Sequence, residues 1–348
     1  MKISIKDIAR ELNISIAAVS KALNDLPGVS DLLRLKVKKA AERMGYEKYL
    51  RSSLVNRYER NLKFIGVLCG RIGGHLMEQI QAGIDERIRK RGYHELRYLI
   101  DVTKELYTEE KKELFLDTVL KEKGVVGLLA CFLKISDVLI AKLYKHKLPV
   151  VLLGDYTDFG KCVIIDNVKA SYRAVDKLIE LGHKKIACIM PQEEVDHVWR
   201  ERLEGYKKAL KDKGLRYDPN LIVYENWVGI KEGGLATKVL LEKTPQATAI
   251  LYGSDRQAYG GMKALRDLGK RIPEDVAIVG FDDMEFNKIV IPSLSSVRQP
   301  IQKMAELGAE MLFETIEKND FTPKVVVLDT ELILRGSCLK DYKEEEWV

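Results

Sequence analysis

Two kinds of apolar periodicity divide this chain. In the first 44 residues the spacing is helical. Ile5, Ile8, Ala9 and Leu12 share one face, opposite Lys6, Asp7, Arg10 and Glu11. After Asn13-Ile14-Ser15 a second run begins, Ile16, Val19, Ala22 and Leu23, with Ser15 placed as its N-cap. A turn, Asp25-Leu26-Pro27-Gly28-Val29, leads to a third helix from Ser30 to about Met44. Leu32, Leu33, Leu35, Val37, Ala40, Ala41 and Met44 are its candidates for closing a small core, and Gly45 ends it. Two short amphipathic helices broken by about three residues are what a helix-turn-helix requires, and its second helix is the one offered to the major groove.

From Lys63 the pattern becomes short apolar runs alternating with amphipathic helices. Phe64 to Leu68, Leu96 to Ile100, Val125 to Ala130 and Val150 to Leu153 form a first series. Val163 to Ile165 opens a second, followed by Ile186 to Met190, Leu221 to Tyr224, Ile250 to Tyr252 and Val276 to Phe281. Helical stretches lie between them, so the pattern predicts parallel sheets covered by helices on both faces. Two such half-domains leave a cleft at the carboxyl ends of the strands.

Charge sharpens the reading of the head. Residues 1–60 hold thirteen Lys and Arg against seven Asp and Glu, and the whole chain holds 58 against 52. The entire positive excess therefore sits on the first 60 residues, where phosphate binding would use it. The Lys36, Lys38 and Lys39 run would by itself fit a solvated helix face equally well.

With 348 residues, 46% of them hydrophobic, the chain can build this head and a large core. It has no apolar run of about 18 residues, and Met1-Lys2 leads directly into the first helix, so a soluble cytoplasmic protein without membrane contact is expected. The five cysteines, at 69, 131, 162, 188 and 338, lack CxxC spacing, and the histidines at 75, 94, 146, 183 and 197 lack ligand spacing. Neither a metal nor a cofactor is expected. No P-loop, HExxH or GxSxG string is present, which argues against an α/β enzyme. A free-standing solute-binding protein would match the core but not the basic head.

The strings ISIAAVSKALN, PGVS, KAAERMGY, VIIDN, LGHKKIACI, RLEGYKKAL, IPEDVAIVGFDD and SVRQP, in this order, resemble the lactose-repressor (LacI/GalR) family of bacterial transcription regulators along nearly the whole chain. The resemblance implies a small all-α helix-turn-helix head and an α/β core of two doubly wound parallel-sheet subdomains, similar to type I periplasmic binding proteins. It places the head at residues 1–47, a hinge at 48–62 and the effector-binding core at 63–340. Within the core, the N-subdomain spans about 63–165 and 295–322, and the C-subdomain about 166–294 and 323–340. The expected function is a repressor acting on pseudo-palindromic double-stranded operator DNA as a homodimer. A small effector, expected to be a carbohydrate, controls it.

Carried over residue by residue, base reading falls on Ile16, Ala17 and Lys21, with Ser15 and Ser20 near phosphates and Asn24 also at the DNA. Ile16 and Ala17 offer only apolar contacts, such as thymine methyls, while Lys21 can donate to guanine. Ala18 stands where many relatives have Thr, and Lys21 where Arg is common. The family's hinge proline is missing from Tyr46-Glu47-Lys48-Tyr49-Leu50-Arg51-Ser52-Ser53-Leu54-Val55, where Leu54, with Val55 as the alternative, is expected to wedge into the minor groove. Effector positions fall on Asp155, Arg202, Trp227, Ser254 and Asp282. Carboxylates and a guanidinium bind hydroxyls in pairs, and an indole stacks on a pyranose ring. Arg71-Ile72-Gly73-Gly74-His75 replaces the family's usual segment after the first strand and leaves one wall of the pocket undefined; Arg71 and His75 are the effector candidates there, able to read an unusual or acidic ligand, with a solvent-facing role as the alternative.

Overall fold

The computed structural model describes residues 3–24, 26–46, 62–70, 74–100, 108–122, 124–192, 197–225 and 228–343. The chain divides into two compact units, residues 1–64 with 121–125, and residues 65–120 with 126–348.

The first unit holds three helices, α1 (Ile5–Leu12), α2 (Ile16–Leu23) and α3 (Asp31–Arg43). Asp7 accepts hydrogen bonds from both the N–H and the hydroxyl of Ser4, at 2.9 and 2.6 Å, which fixes the start of α1. Ser30 starts α3 by accepting the Leu33 N–H at 3.3 Å. Ile8, Val19, Ala22, Val37, Ala40 and Ala41 form the small core, with Leu33 and Met44 packed against it. Leu32 and Leu35 do not join it; they are 67% and 52% exposed. Leu33, Val37, Ala40, Ala41 and Met44 repeat at helical spacing and form the one buried stripe of α3, and Leu32 and Leu35 fall off it.

The second unit carries two six-stranded sheets. In chain order its elements are β1 (Phe64–Cys69), α4 (Gly74–Lys90), β2 (His94–Leu99), α5 (Glu109–Lys121), β3 (Val125–Cys131), α6 (Asp137–Lys145), β4 (Val150–Leu153), β5 (Lys161–Ile165), α7 (Asn167–Glu180), β6 (Ile186–Pro191), α8 (His197–Asp212), β7 (Ile222–Glu225), α9 (Ile230–Lys243), β8 (Ala249–Tyr252), α10 (Asp255–Asp267), β9 (Ala277–Asp282), β10 (Ser295–Arg298), α11 (Ile301–Lys318), β11 (Lys324–Leu328) and β12 (Glu331–Ile333). One sheet is ordered β11-β5-β4-β3-β1-β2 and the other β12-β10-β9-β8-β6-β7. The pairings β3/β4, β4/β5, β5/β11, β6/β7, β6/β8, β8/β9 and β9/β10 are parallel, and β12 runs antiparallel to β10. Every residue of β4 and β8 is buried, as a strand covered on both faces requires.

The chain passes between the sheets three times, between β5 and α7, between β10 and α11, and between β11 and β12. Two strands consequently lie in the opposite subdomain from the one expected. Ser295–Arg298 pairs with β9 and belongs to the second sheet, whereas Lys324–Leu328 pairs with β5 and belongs to the first. Val163–Ile165, although it opens the second apolar series, lies in the first sheet beside β4, within the bounds expected for the N-subdomain. The intervening α11 packs on α4 and over β4, as expected for an N-subdomain element.

Helices α9 and α10 approach through glycines. A Cβ at Gly260 would strike the Ile230 carbonyl and the Gly234 nitrogen, and one at Gly233 would strike the Gln257 backbone. Backbone atoms cannot swing aside as a side-chain tip can. Gly260→Ala is therefore expected to destabilise the fold by about 1–3 kcal/mol despite alanine's better helix propensity, read as a lower denaturation midpoint. An unchanged or raised midpoint would contradict this packing.

Candidate DNA-reading and effector sites

In the head, Ser15 accepts the Ala18 N–H at 3.1 Å and so sets the first turn of α2. Val19 and Ala22 face the core, while Ser15, Ile16, Ala17, Lys21 and Asn24 are exposed and Ala18 and Ser20 half-buried. Ile16, 49% exposed, is a large apolar side chain held outside a core that could have used it. The Asn24 carboxamide donates to the Ser20 carbonyl at 2.9 Å and so turns back on the end of α2. From α3, Arg34 donates to the carbonyls of Leu26 at 2.9 Å and Lys21 at 3.4 Å, tying the turn to the third helix. Gly28, at φ +95°, lies against the Lys21 ammonium. Leu54 and Val55 lie outside the described residues.

In the core, α8 carries Arg202 at 5% exposure. Its Nε donates to Asn167 Oδ1 at 3.0 Å, its Nη1 donates to the Gly253 carbonyl at 2.7 Å, and the guanidinium carbon sits 3.5 Å from the centroid of the Phe281 ring. Three elements thus fix the orientation of one fork. Next to Phe281, half-buried Asp282 stands at φ +112° and accepts from Gln299 Nε2 at 2.7 Å. Burial pushes its pKa up to about 6, against the opposing pull of Arg202 and Gln299.

Beneath Asp282 lies a fully buried carboxylate, Asp255. It accepts from Ser296 Oγ at 2.6 Å, from the Met284 N–H at 2.7 Å and from Asn287 Nδ2 at 2.9 Å. Burial, then the neighbouring Asp282 charge, raises its pKa. Asp283, at φ +53°, is held by Arg335 and Arg298, each at 2.7 Å. Burial raises its pKa, but the two guanidiniums outweigh that and hold it below the usual carboxylate range. On the loop after β4, buried Asp155 accepts the Tyr156 N–H at 2.9 Å and lies 3.4 Å from Nδ1 of His197, the first residue of α8. Ser254 accepts the Gln257 N–H at 3.3 Å, which commits its hydroxyl to capping α10.

The description "Bacterial regulatory proteins, lacI family" matches residues 4–48, and "Periplasmic binding protein-like domain" matches residues 175–338. The transcriptional regulator RegA of Clostridium saccharobutylicum is 32% identical over 343 residues, 97% of this chain and 100% of its own length. The chain belongs to the lacI family of bacterial regulatory proteins. A second relative, the transcriptional regulator MalR of Clostridium butyricum, is 33% identical over 344 residues, covering 96% of this chain and 99% of its own. Among solved structures, the transcriptional regulator CelR in complex with cellobiose superposes with a TM-score of 0.70 at 26% identity, over 97% of this chain and all of its own. This LacI-family protein is accordingly a DNA-binding transcriptional regulator and not an enzyme. No helix among its described residues is long and apolar enough to cross a membrane.

Of the residues singled out for the effector in this LacI-family chain, Arg202, Ser254 and Asp282 lie around the carboxyl ends of the second sheet, and Asp155 lies against His197 at the start of α8, the helix that carries Arg202. His75 lines a cavity of about 570 Å³ together with Gln79, Gln299 and Arg335, and Gln299 connects that cavity to Asp282. Arg71 and Trp227 lie outside the described residues. Sequence reasoning missed Asn167 and Gln299, which orient the charged pair, and Asp255, which supports Asp282 from below. Asn167 stands within VIIDN and Gln299 within SVRQP, so the family strings contained the first two without revealing their roles.

Asp282 has a stability consequence whose sign can be worked out. Its pKa is higher in the folded chain than the ordinary 3.8, so folding favours its protonated form. That stabilisation is complete below about pH 4 and is lost as pH rises through about 6. Asp282→Asn, which cannot ionise, is expected to be more stable than the wild type by about 1–3 kcal/mol at about pH 7.5, with the difference vanishing near pH 4. Denaturant melts at the two pH values check this, and a gap that is independent of pH would contradict it.

Proposed function

We propose that this chain is a repressor that binds a pseudo-palindromic operator as a homodimer, with its affinity set by a sugar or sugar derivative held between the two core subdomains. The observation that carries the effector half is the immobilised Arg202 fork, fixed by Asn167 and the Gly253 carbonyl over the Phe281 ring, with the Asp282 carboxylate beside it. A fixed guanidinium and a carboxylate together take the paired hydroxyls of a carbohydrate, and neither pays a further ordering cost on binding. The cellobiose in the CelR complex supports that class of ligand. Asp155, Ser254 and Trp227 complete the pocket in this reading.

For DNA, the exposed face of α2 enters the major groove. Ile16 and Ala17 meet thymine methyls, Lys21 reads guanine, and Ser15, Ser20 and Asn24 hold nearby phosphates. Residues 48–62 form the hinge, and Leu54 wedges into the minor groove. Closure of the core on effector repositions hinges and heads, so effector and operator change each other's affinity by the same factor.

Full-length protein titrated with a palindromic operator duplex at several salt concentrations tests the DNA half. Binding is expected to weaken steeply with salt. Lys21→Ala should lose about 1–3 kcal/mol of affinity, roughly fivefold to over a hundredfold, with its melting temperature unchanged. Undiminished affinity in that variant would overturn the role given to Lys21.

A further inference from the structure

We propose that His75, Glu78 and Glu285 form a divalent transition-metal site, best suited to Zn²⁺, that links the two core subdomains. His75 and Glu78 lie three residues apart on α4, so both project from one helix face, in the subdomain built on the first sheet. Glu285 comes from the short 3₁₀ turn after β9, in the subdomain built on the second. One ligand atom from each of the three lies within 4.8 Å of the other two, although Glu285 is more than 200 residues away in the chain.

Three further features favour a cation here. Two carboxylates of like charge converge from different subdomains, and among the described residues no Lys or Arg forms an ion pair with either. The arginines and acids around them are committed to other pairs. Arg298 and Arg335 hold Asp283, while Arg87 and Lys303 hold Glu306. The Gln79 carboxamide nitrogen lies 2.7 Å from Nε2 of His75; a half-turn of that carboxamide would put its oxygen on Nε2–H, leave the Nδ1 lone pair for the metal and make this the second-sphere contact of a ligating imidazole. Both His75 and Glu285 line the 570 Å³ cavity, which gives an ion and its remaining water or ligand a way in.

One nitrogen and two carboxylate oxygens with an open fourth position are a donor set for Zn²⁺ or Co²⁺ rather than for Ca²⁺, which wants six or more oxygens. Tetrahedral Zn²⁺ would draw the three donor atoms to about 3.3 Å apart. Small side-chain rotations from the present spacing achieve this. Because the donors belong to both subdomains, the bound ion favours whichever relative placement brings them together.

The test uses full-length protein without a polyhistidine tag, stripped with chelator and titrated with Zn²⁺ by calorimetry and with Co²⁺ by visible absorption. Wild type is expected to bind about one ion per chain and to show the absorption bands of four-coordinate Co²⁺. Glu78→Gln and Glu285→Gln, surface changes that preserve shape, should each weaken binding by at least about tenfold and His75→Ala should abolish it, whereas the exposed control His146→Ala should change nothing. Absence of stoichiometric binding in the wild type would overturn the site. So would binding that survives Glu285→Gln, because the ion would then not link the subdomains. Neither result bears on the Arg202 pocket, which stands on separate residues.

Discussion

The buried carboxylate of Asp255 is the constraint on which the proposed effector face depends. Its hydrogen bonds to Ser296 Oγ, the Met284 N–H and Asn287 Nδ2 bind the end of β9, the start of β10 and the turn between them to the N-terminus of α10. The arrangement needs Gly280, because a Cβ there would collide with Asp255 Oδ1. With those ends gathered, Asp282 and Asp283 are held at positive φ, a conformation that non-glycine residues rarely keep unless their surroundings enforce it. Asp283 is secured by two arginines, while Asp282 is left half-buried with a raised pKa beside the Arg202 fork. Uncompensated burial of that kind costs stability, and it is common where a ligand is to supply the missing partner.

The two subdomains share this arrangement through the crossovers. Gln299, which holds Asp282, lies on the crossover between β10 and α11, and α11 packs against α4 of the first subdomain. A change in the ligation of Asp282 therefore acts at a segment common to both subdomains. Asp155 and His197 face each other from the first subdomain and the first turn of α8. An effector that engages Arg202 and Asp282 has physical routes by which to favour one relative placement over another, which is what linkage between effector and operator requires.

Much of this was legible in the sequence, for identifiable reasons. The head could be read because Ile8, Val19, Ala22 and Val37 repeat at helical spacing and Ser15 and Ser30 mark helix starts. The strands could be read because buried parallel strands are uninterrupted apolar runs. Sheet membership could not. Val325–Val327 is an apolar run like those of the other strands, and only the tertiary crossovers decide which sheet receives it. The same limit hid Leu32 and Leu35, apolar residues that three short helices have no room to bury. Approaches between distant segments, such as the hydrogen bond of Arg202 to Asn167 or the nearness of His75 to Glu285, leave no spacing to detect.

The most direct test of the central claim is a melting-temperature screen of the wild type and of Arg202→Ala and Asp282→Asn variants against sugars, sugar phosphates and nucleobases, since a ligand bound to the folded state stabilises it by mass action. At least one carbohydrate should raise the melting temperature of the wild type and leave both variants unmoved. A shift produced only by nucleobases, or a carbohydrate shift that persists in both variants, would contradict the account.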